Sequence, residues 1–366
     1  MLLISICTIC IMLTLFYGAN NQVKTLTPEG GNRVQTKTEV LISFALILII
    51  ISTLRYGFID TYAYKIMYRE SRGDLLYVNS APWGVEKAWL YLMYILNYVT
   101  DSPKAVLFMT ALFVNVAYVV FCKKYSSNVI FSLFIYYCIS YLDTNNGLRQ
   151  CFATSITMMA FPLLLKKKYV LYSLFVVLAS LFHSSAIYLL LIVLATIGKP
   201  FNFKVIIALI ACVAFLLFPS IINEFLKEAT IDSKYNYYLN NNAGMGIIRC
   251  FIISILPLVL SIIYYAKRKK SGLDINKEEG LLINMLIINS ALYLMGLYMQ
   301  YWARLAFYTS FAPIVLMPKL IENVFSKKDR KWVKIIAYIC YFIFFVYNIY
   351  VNITYGAIAD FRVEWW

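Results

Sequence analysis

One histidine, His183, stands in 366 residues, and 18 acidic side chains face 33 lysines and arginines. A lone imidazole excludes a His-rich metal centre. The chain also has no Gly-x-x-x-x-Gly-Lys-Ser/Thr loop, no Gly-x-Gly-x-x-Gly turn, no His-Glu-x-x-His helix and no Gly-x-Ser-x-Gly elbow. Phosphate-loop, dinucleotide, zincin and hydrolase-elbow chemistries therefore have no footing. Nothing looks like a cytoplasmic nucleotide-binding domain, so a donor substrate, if there is one, should arrive from the membrane. Charged residues make up only 14%, against roughly 25% in soluble domains. No basic block is long enough for nucleic acid. The eight cysteines fall mostly inside apolar runs or at their ends and show no metal-ligand grouping; they read as small membrane-core residues, not as a disulfide framework. No cofactor and no metal are expected.

What is abundant is apolar sequence. Hydrophobic residues reach 62% and the mean hydropathy is +0.72, which describes an integral membrane protein throughout. Runs approaching spanning length lie at about 1–18, 39–54, 104–122, 127–142, 148–165, 169–182, 184–198, 203–222, 247–266, 281–299, 303–318 and 334–354. Some fall short of the typical 20 residues, as helices deep in a bundle can. The expected fold is all-α: one integral membrane domain over 1–366, a polytopic bundle of about 12 transmembrane helices. The amphipathic stretch 86–99 adds an interfacial or re-entrant helix. The first run lacks a basic flank and a clear cleavage site and is followed by Lys24, Arg33 and Lys37. It reads as a retained helix with its N-terminus outside.

Lysines set the expected orientation. Lys123-Lys124, Lys166-Lys167-Lys168, Lys199 with Lys204, the 267–270 cluster and the 327–331 cluster fall in alternate connections, which the positive-inside rule assigns to the cytoplasm. The outward connections are then 55–103, 143–147, the turn at His183, 223–246, 300–302 and the tail from Tyr355. The two long external loops are 55–103 and 223–246.

Unusual polar residues gather on that outward side. Asp143-Thr144-Asn145-Asn146-Gly147-Leu148-Arg149-Gln150 is wedged between two apolar runs. A tight turn needs little more than Asn and Gly, so Arg149 and Gln150 imply a polar task at the surface. Arg149, Arg249 and Arg304 each sit within about a turn of the outer, N-terminal end of a helix. A cation there opposes the helix dipole by about 0.3–1 kcal/mol. One such arginine is accounted for by snorkelling; three on one face suggest a shared anion. His183 at an outer turn is a candidate general base, against the alternative of a histidine that caps or bonds within the bundle. Arg55 opens the first long loop and suits a phosphate, and Asp60 can accept a proton or orient a hydroxyl. Tyr62 and its neighbours Tyr64, Tyr68 and Tyr77 can stack on sugars or form an interfacial belt. Lys234-Tyr235-Asn236-Tyr237-Tyr238 repeats that character in the second loop, and Gln300, Tyr301 and Trp302 precede Arg304.

The succession Arg55-Tyr56-Gly57-x-x-Asp60, Asn146-Gly147-Leu148-Arg149-Gln150, a Lys-rich turn, Leu178-Ala179-Ser180-Leu181-Phe182-His183-Ser184 and a late Arg304 resembles the EpsG family of bacterial membrane proteins, within the Wzy-like polysaccharide polymerases. The resemblance covers about 40–320. It implies a metal-independent, GT-C-like glycosyltransferase in the bacterial inner membrane, multi-pass, with its active face outward. The implied substrates are undecaprenyl-diphosphate-linked oligosaccharide and the growing polysaccharide (exopolysaccharide, capsule or O-antigen). Membrane lipids surround it, and a flippase and chain-length regulator are implied partners.

On this reading Arg149 and Arg304 bind the diphosphate, Arg55 or Arg249 assists, and His183 or Asp60 is the base. Asn146 and Gln150 orient acceptor or diphosphate, and Tyr62, Ser184 and Gln300 contact substrate. The rivals are a lipid-linked-oligosaccharide flippase or transporter, which calls for charges near the bilayer midplane, a glycan ligase sharing the donor, and a histidine-dependent acyltransferase.

Overall fold

The computed structural model describes residues 2–26, 32–218 and 246–354. The second external loop, with its 234–238 segment, lies largely outside them. The described chain is helical apart from a short antiparallel ribbon, Val23–Leu26 with Asn32–Gln35. It divides into two compact units. One comprises Met1–Met159, Leu178–Ser184 and Tyr338–Trp366; the other comprises Ala160–Val177 and Ser185–Ala337.

In the first unit, helix Thr38–Leu54 packs against Leu2–Asn20 and Lys104–Tyr125, and the last packs on Leu148–Met159. The Thr38–Leu54 helix shows why. Val40, Leu41, Phe44, Leu48, Ile49 and Ser52 are buried, while Ile42, Leu46 and Ile50 are about half exposed. The buried stripe recurs at helical spacing, and so does the exposed one, which is equally apolar. Such an outer face is costly in water and at home in lipid. Helix Val129–Ile139 is buried all round. Lys123 and Lys124 end the Lys104–Tyr125 helix, where cations suit the negative pole of the dipole.

Residues 55–103 do not trail as a loop. Three short helices, Ile59–Glu70, Leu75–Ser80 and Lys87–Leu96, fold into a cap. The helix expected at 86–99 is present as Lys87–Leu96, burying Trp89, Leu90 and Met93 and exposing Ile95, with Tyr98 and Val99 exposed in the turn after it. Trp89 is fully buried, edge-on to Tyr64 at 5.7 Å and to Phe152 at 6.1 Å. Phe152 in turn meets Phe182 at 5.0 Å. This aromatic chain ties the cap to the Leu148–Met159 helix and to the turn that carries His183.

In the second unit, helix Lys277–Met295 is buried along 279–291. Around it pack Leu189–Thr196, Phe203–Leu217, Leu256–Lys270, Gln300–Ala306 and Phe311–Val324. Buried amides join these helices. Asn284 donates to the Thr196 carbonyl at 2.8 Å and accepts from the Phe201 N–H at 2.9 Å. Asn289 donates to the Ala306 carbonyl at 2.8 Å. Ser254 and Ser290 each donate to the other's carbonyl at 3.2 Å. Polar links of this kind suit helices that have no hydrophobic drive to associate within lipid. Gln300–Thr309 and Phe311–Val324 meet at a 66° bend.

Five described helices are long and apolar enough to cross a membrane, or six if the bent pair is one span, and seven further apolar helices run 10–17 residues. Several apolar runs are therefore interrupted. Residues 184–188, for instance, form a tighter 3₁₀ turn before Leu189–Thr196.

Candidate functional site

Local backbone chemistry sets Arg149 at a helix start. The Asn145 amide donates to the Tyr141 carbonyl at 2.8 Å, the Leu148 N–H to the Asn146 carbonyl at 2.9 Å, and the Cys151 N–H to the Gly147 carbonyl at 3.0 Å. These bonds turn the chain so that Arg149 is the second residue of Leu148–Met159. The Asn146 side-chain oxygen accepts the Asp60 backbone N–H at 3.4 Å, linking this turn to the first turn of Ile59–Glu70.

The centre of the cluster is Glu86, which immediately precedes Lys87–Leu96 and whose side chain is 9% exposed. Its Oε2 accepts from Arg149 Nη1. Its Oε1 accepts the Ser184 backbone N–H at 2.9 Å and lies 3.8 Å from His183 Nδ1. Arg149 and His183 keep 22% and 23% of their side chains exposed. Both remain within reach of something outside while their inner atoms face the carboxylate. Tyr64 completes the group, packed on Trp89 and within electrostatic reach of Arg149. Burial pushes its phenol above the ordinary value, Arg149 opposes that shift, and Asp60 adds to it.

One carboxylate thus holds a guanidinium by one oxygen and faces an imidazole with the other. A carboxylate this close to Nδ1 would stabilise the ring once it takes up a proton. A guanidinium held at one edge can still present its remaining N–H groups to an anion.

The other sequence candidates divide between the units. Arg55 is 1% exposed and sits at the corner between Thr38–Leu54 and Ile59–Glu70. It donates to the Ser52 carbonyl and, at 3.3 Å, to Thr61 Oγ1. Burial pulls its guanidinium down to about 10. These bonds are those of a structural clamp on the corner. Tyr62 is 71% exposed, and Gln150 is buried. Arg249, Gln300 and Arg304 belong to the second unit. Arg249 lies in Ile247–Cys250, ahead of a π-helical turn at Phe251–Ile255, while Gln300 opens the short helix Gln300–Ala306 and Arg304 lies in its last turn. Among the described residues no three His, Cys, Asp or Glu side chains group as metal ligands do.

Sequence reasoning passed over Glu86. Its signal was available: an acidic residue heading an amphipathic helix in the same long connection as Asp60 and Tyr62.

No curated protein and no solved structure is detectably similar to the chain. A family model does match, over residues 40–360. Nearly the whole helical array, with the Arg149–Glu86–His183 cluster inside it, is thereby accounted for: the chain belongs to the EpsG family, a family of Wzy-like polysaccharide polymerases.

Proposed function

We propose that this protein extends a bacterial surface polysaccharide by transferring the growing glycan from undecaprenyl diphosphate to an incoming lipid-linked repeat unit. The reaction takes place on the outer face of the inner membrane, in a GT-C-like bundle of about 12 spans. Family membership supports polymerase-type chemistry. The observation that carries the mechanism is Glu86, held to Arg149 and to the Ser184 N–H, with His183 at 3.8 Å.

His183 takes the proton of the acceptor hydroxyl through Nε2, and Glu86 stabilises the imidazolium as it forms. The hydroxyl oxygen bonds to the anomeric carbon of the donor glycan while the bond from that carbon to the diphosphate oxygen breaks. Undecaprenyl diphosphate leaves with the electron pair, and Arg149 stabilises its developing charge. This assigns the base to His183 and leaves Asp60, beside Asn146, to orient the acceptor. Gln150, Ser184 and the exposed Tyr62 contact the substrates. Arg249, Arg304 and Gln300 stand as candidate diphosphate and sugar contacts, and Arg55 supports the fold of the corner. No step requires a metal.

The test is surface polysaccharide in a deletion strain complemented with wild type, Arg149→Ala or His183→Ala, with membrane levels matched. Loss of long chains while single repeat units are still built and exported is the expected result. Accumulation of repeat units on the cytoplasmic leaflet would make the protein a flippase and overturn the proposal.

A further inference from the structure

The second unit holds a cavity of about 410 Å³ lined by Lys167, Lys199 and Lys277 and by no acidic side chain. Much of the remaining wall is apolar, including Leu164, Leu165 and Leu281. Each lysine sits on a pinned turn. Lys167 adopts φ 58°, a left-handed conformation that favours glycine, and closes the Phe161–Leu165 helix by donating to the Leu164 carbonyl at 3.0 Å. The Lys199 carbonyl accepts from the buried Asn284 amide at 3.0 Å. Lys277 opens Lys277–Met295 behind Asn276, whose side chain accepts the Glu279 N–H at 2.8 Å. Gly280 lets Pro200 approach, since a Cβ there would meet Pro200 Cγ at 3.1 Å.

Glu279 is engaged by Lys319, by the Tyr264 hydroxyl at 2.9 Å and by the Asn276 amide at 2.7 Å, and Glu278 is absent from the lining. All three lysines are exposed, and together they favour an anion over a cation at this hollow.

We infer that this cavity is a binding site for the headgroup of an anionic phospholipid. The lysines would hold the phosphate, and the leucines would take the start of the acyl chains. Two observations select the bilayer as the source. The lining is amphipathic, and its three turns belong to the lysine-bearing connections that charge bias assigns to the cytoplasmic leaflet, which is rich in anionic lipid. The site is independent of the transferase reading and would remain if that reading failed.

The experiment is native mass spectrometry of the detergent-purified full-length protein, titrated with short-chain phosphatidylglycerol, with phosphatidylcholine and with inorganic phosphate. Phosphatidylglycerol should be retained over phosphatidylcholine by tenfold or more. The Lys167→Gln/Lys199→Gln/Lys277→Gln variant should lose that preference, each charge contributing on the order of fivefold. The corresponding Lys→Arg triple, which keeps the charges, should retain it. A control triple, Lys269→Gln/Lys270→Gln/Lys328→Gln, should leave the preference unchanged. Equal retention of both lipids would overturn the inference, as would equal losses in the two Lys→Gln triples. Displacement by inorganic phosphate at matched concentration would identify a soluble anion and overturn the lipid assignment. A preference absent from the Lys→Arg triple, with its melting temperature unchanged, would show that charge is not what binds.

Discussion

Ser184 donates its backbone N–H to Glu86 Oε1 at 2.9 Å although 98 positions separate the two residues in the chain. The bond seats the turn after His183 on the acidic head of the cap helix, and the other oxygen of the same carboxylate holds Arg149. Position, charge and ring orientation in the cluster therefore depend on one side chain.

The first prediction concerns that side chain. Glu86→Gln keeps an oxygen for the Ser184 N–H and removes the charge. Without the Glu86 charge, Arg149 loses its ion pair and the imidazolium that would form on His183 loses the carboxylate 3.8 Å away. Polymerisation should fall roughly tenfold or more at matched membrane levels. Wild-type rates in this variant would remove the Glu86 charge from the chemistry.

Arg149→Lys retains a charge but loses the planar fork that serves a carboxylate and a phosphate together. Turnover should drop about 10²–10³-fold if the guanidinium stabilises the leaving group. Single-turnover assays with lipid-linked repeat units would detect this. Near wild-type rates would remove Arg149 from the chemistry.

Trp89 is fully buried between Tyr64 and Phe152. Trp89→Ala should destabilise the cap by about 3–5 kcal/mol, seen as increased protease sensitivity in 55–103 at temperatures where the rest of the chain stays intact. Loss of activity should accompany it, because the cap holds Glu86. An unchanged digestion pattern would contradict the packing described.

Arg55 offers a contrast with Arg149. Its bonds run to Ser52 and Thr61, so Arg55→Gln should lower thermal stability, by about 1–3 kcal/mol for the buried groups left unmatched. The KM for the lipid-linked donor should remain unchanged in the molecules that stay folded. A raised KM at wild-type stability would restore the phosphate role that the sequence suggests.

Asn289 links Lys277–Met295 to Gln300–Ala306 through the Ala306 carbonyl. Asn289→Ala should cost about 1 kcal/mol, measured as a lower denaturation midpoint in detergent. No shift at all would mean that the amide bond contributes nothing to holding the bend.

Much of this molecule was legible from residues in order. The apolar runs announce helices because the backbone must satisfy its own hydrogen bonds in lipid. The amphipathic stretch after Glu86 announces a helix with one wet face, and Lys87–Leu96 is that helix. The Asn146–Arg149 turn marks a polar site where a bare turn would need no arginine. Where a run breaks was less legible: Ser184 and Ser185 only soften an apolar stretch, yet residues 184–188 tighten into a 3₁₀ turn.

Composition and periodicity alone determine that the chain is helical and apolar enough for a membrane, because the choice between water and lipid is local to each segment. Its short motifs carry the family. Which of its arginines are buried, which face an acid, and what stands beside the only histidine were decided by tertiary structure. Arg55 and Arg149 look alike in sequence. One is enclosed by its own corner of backbone, and the other meets a carboxylate delivered by Trp89 packing against Phe152. Burial and ion pairing are properties of neighbours brought together across many residues, and no local pattern encodes them.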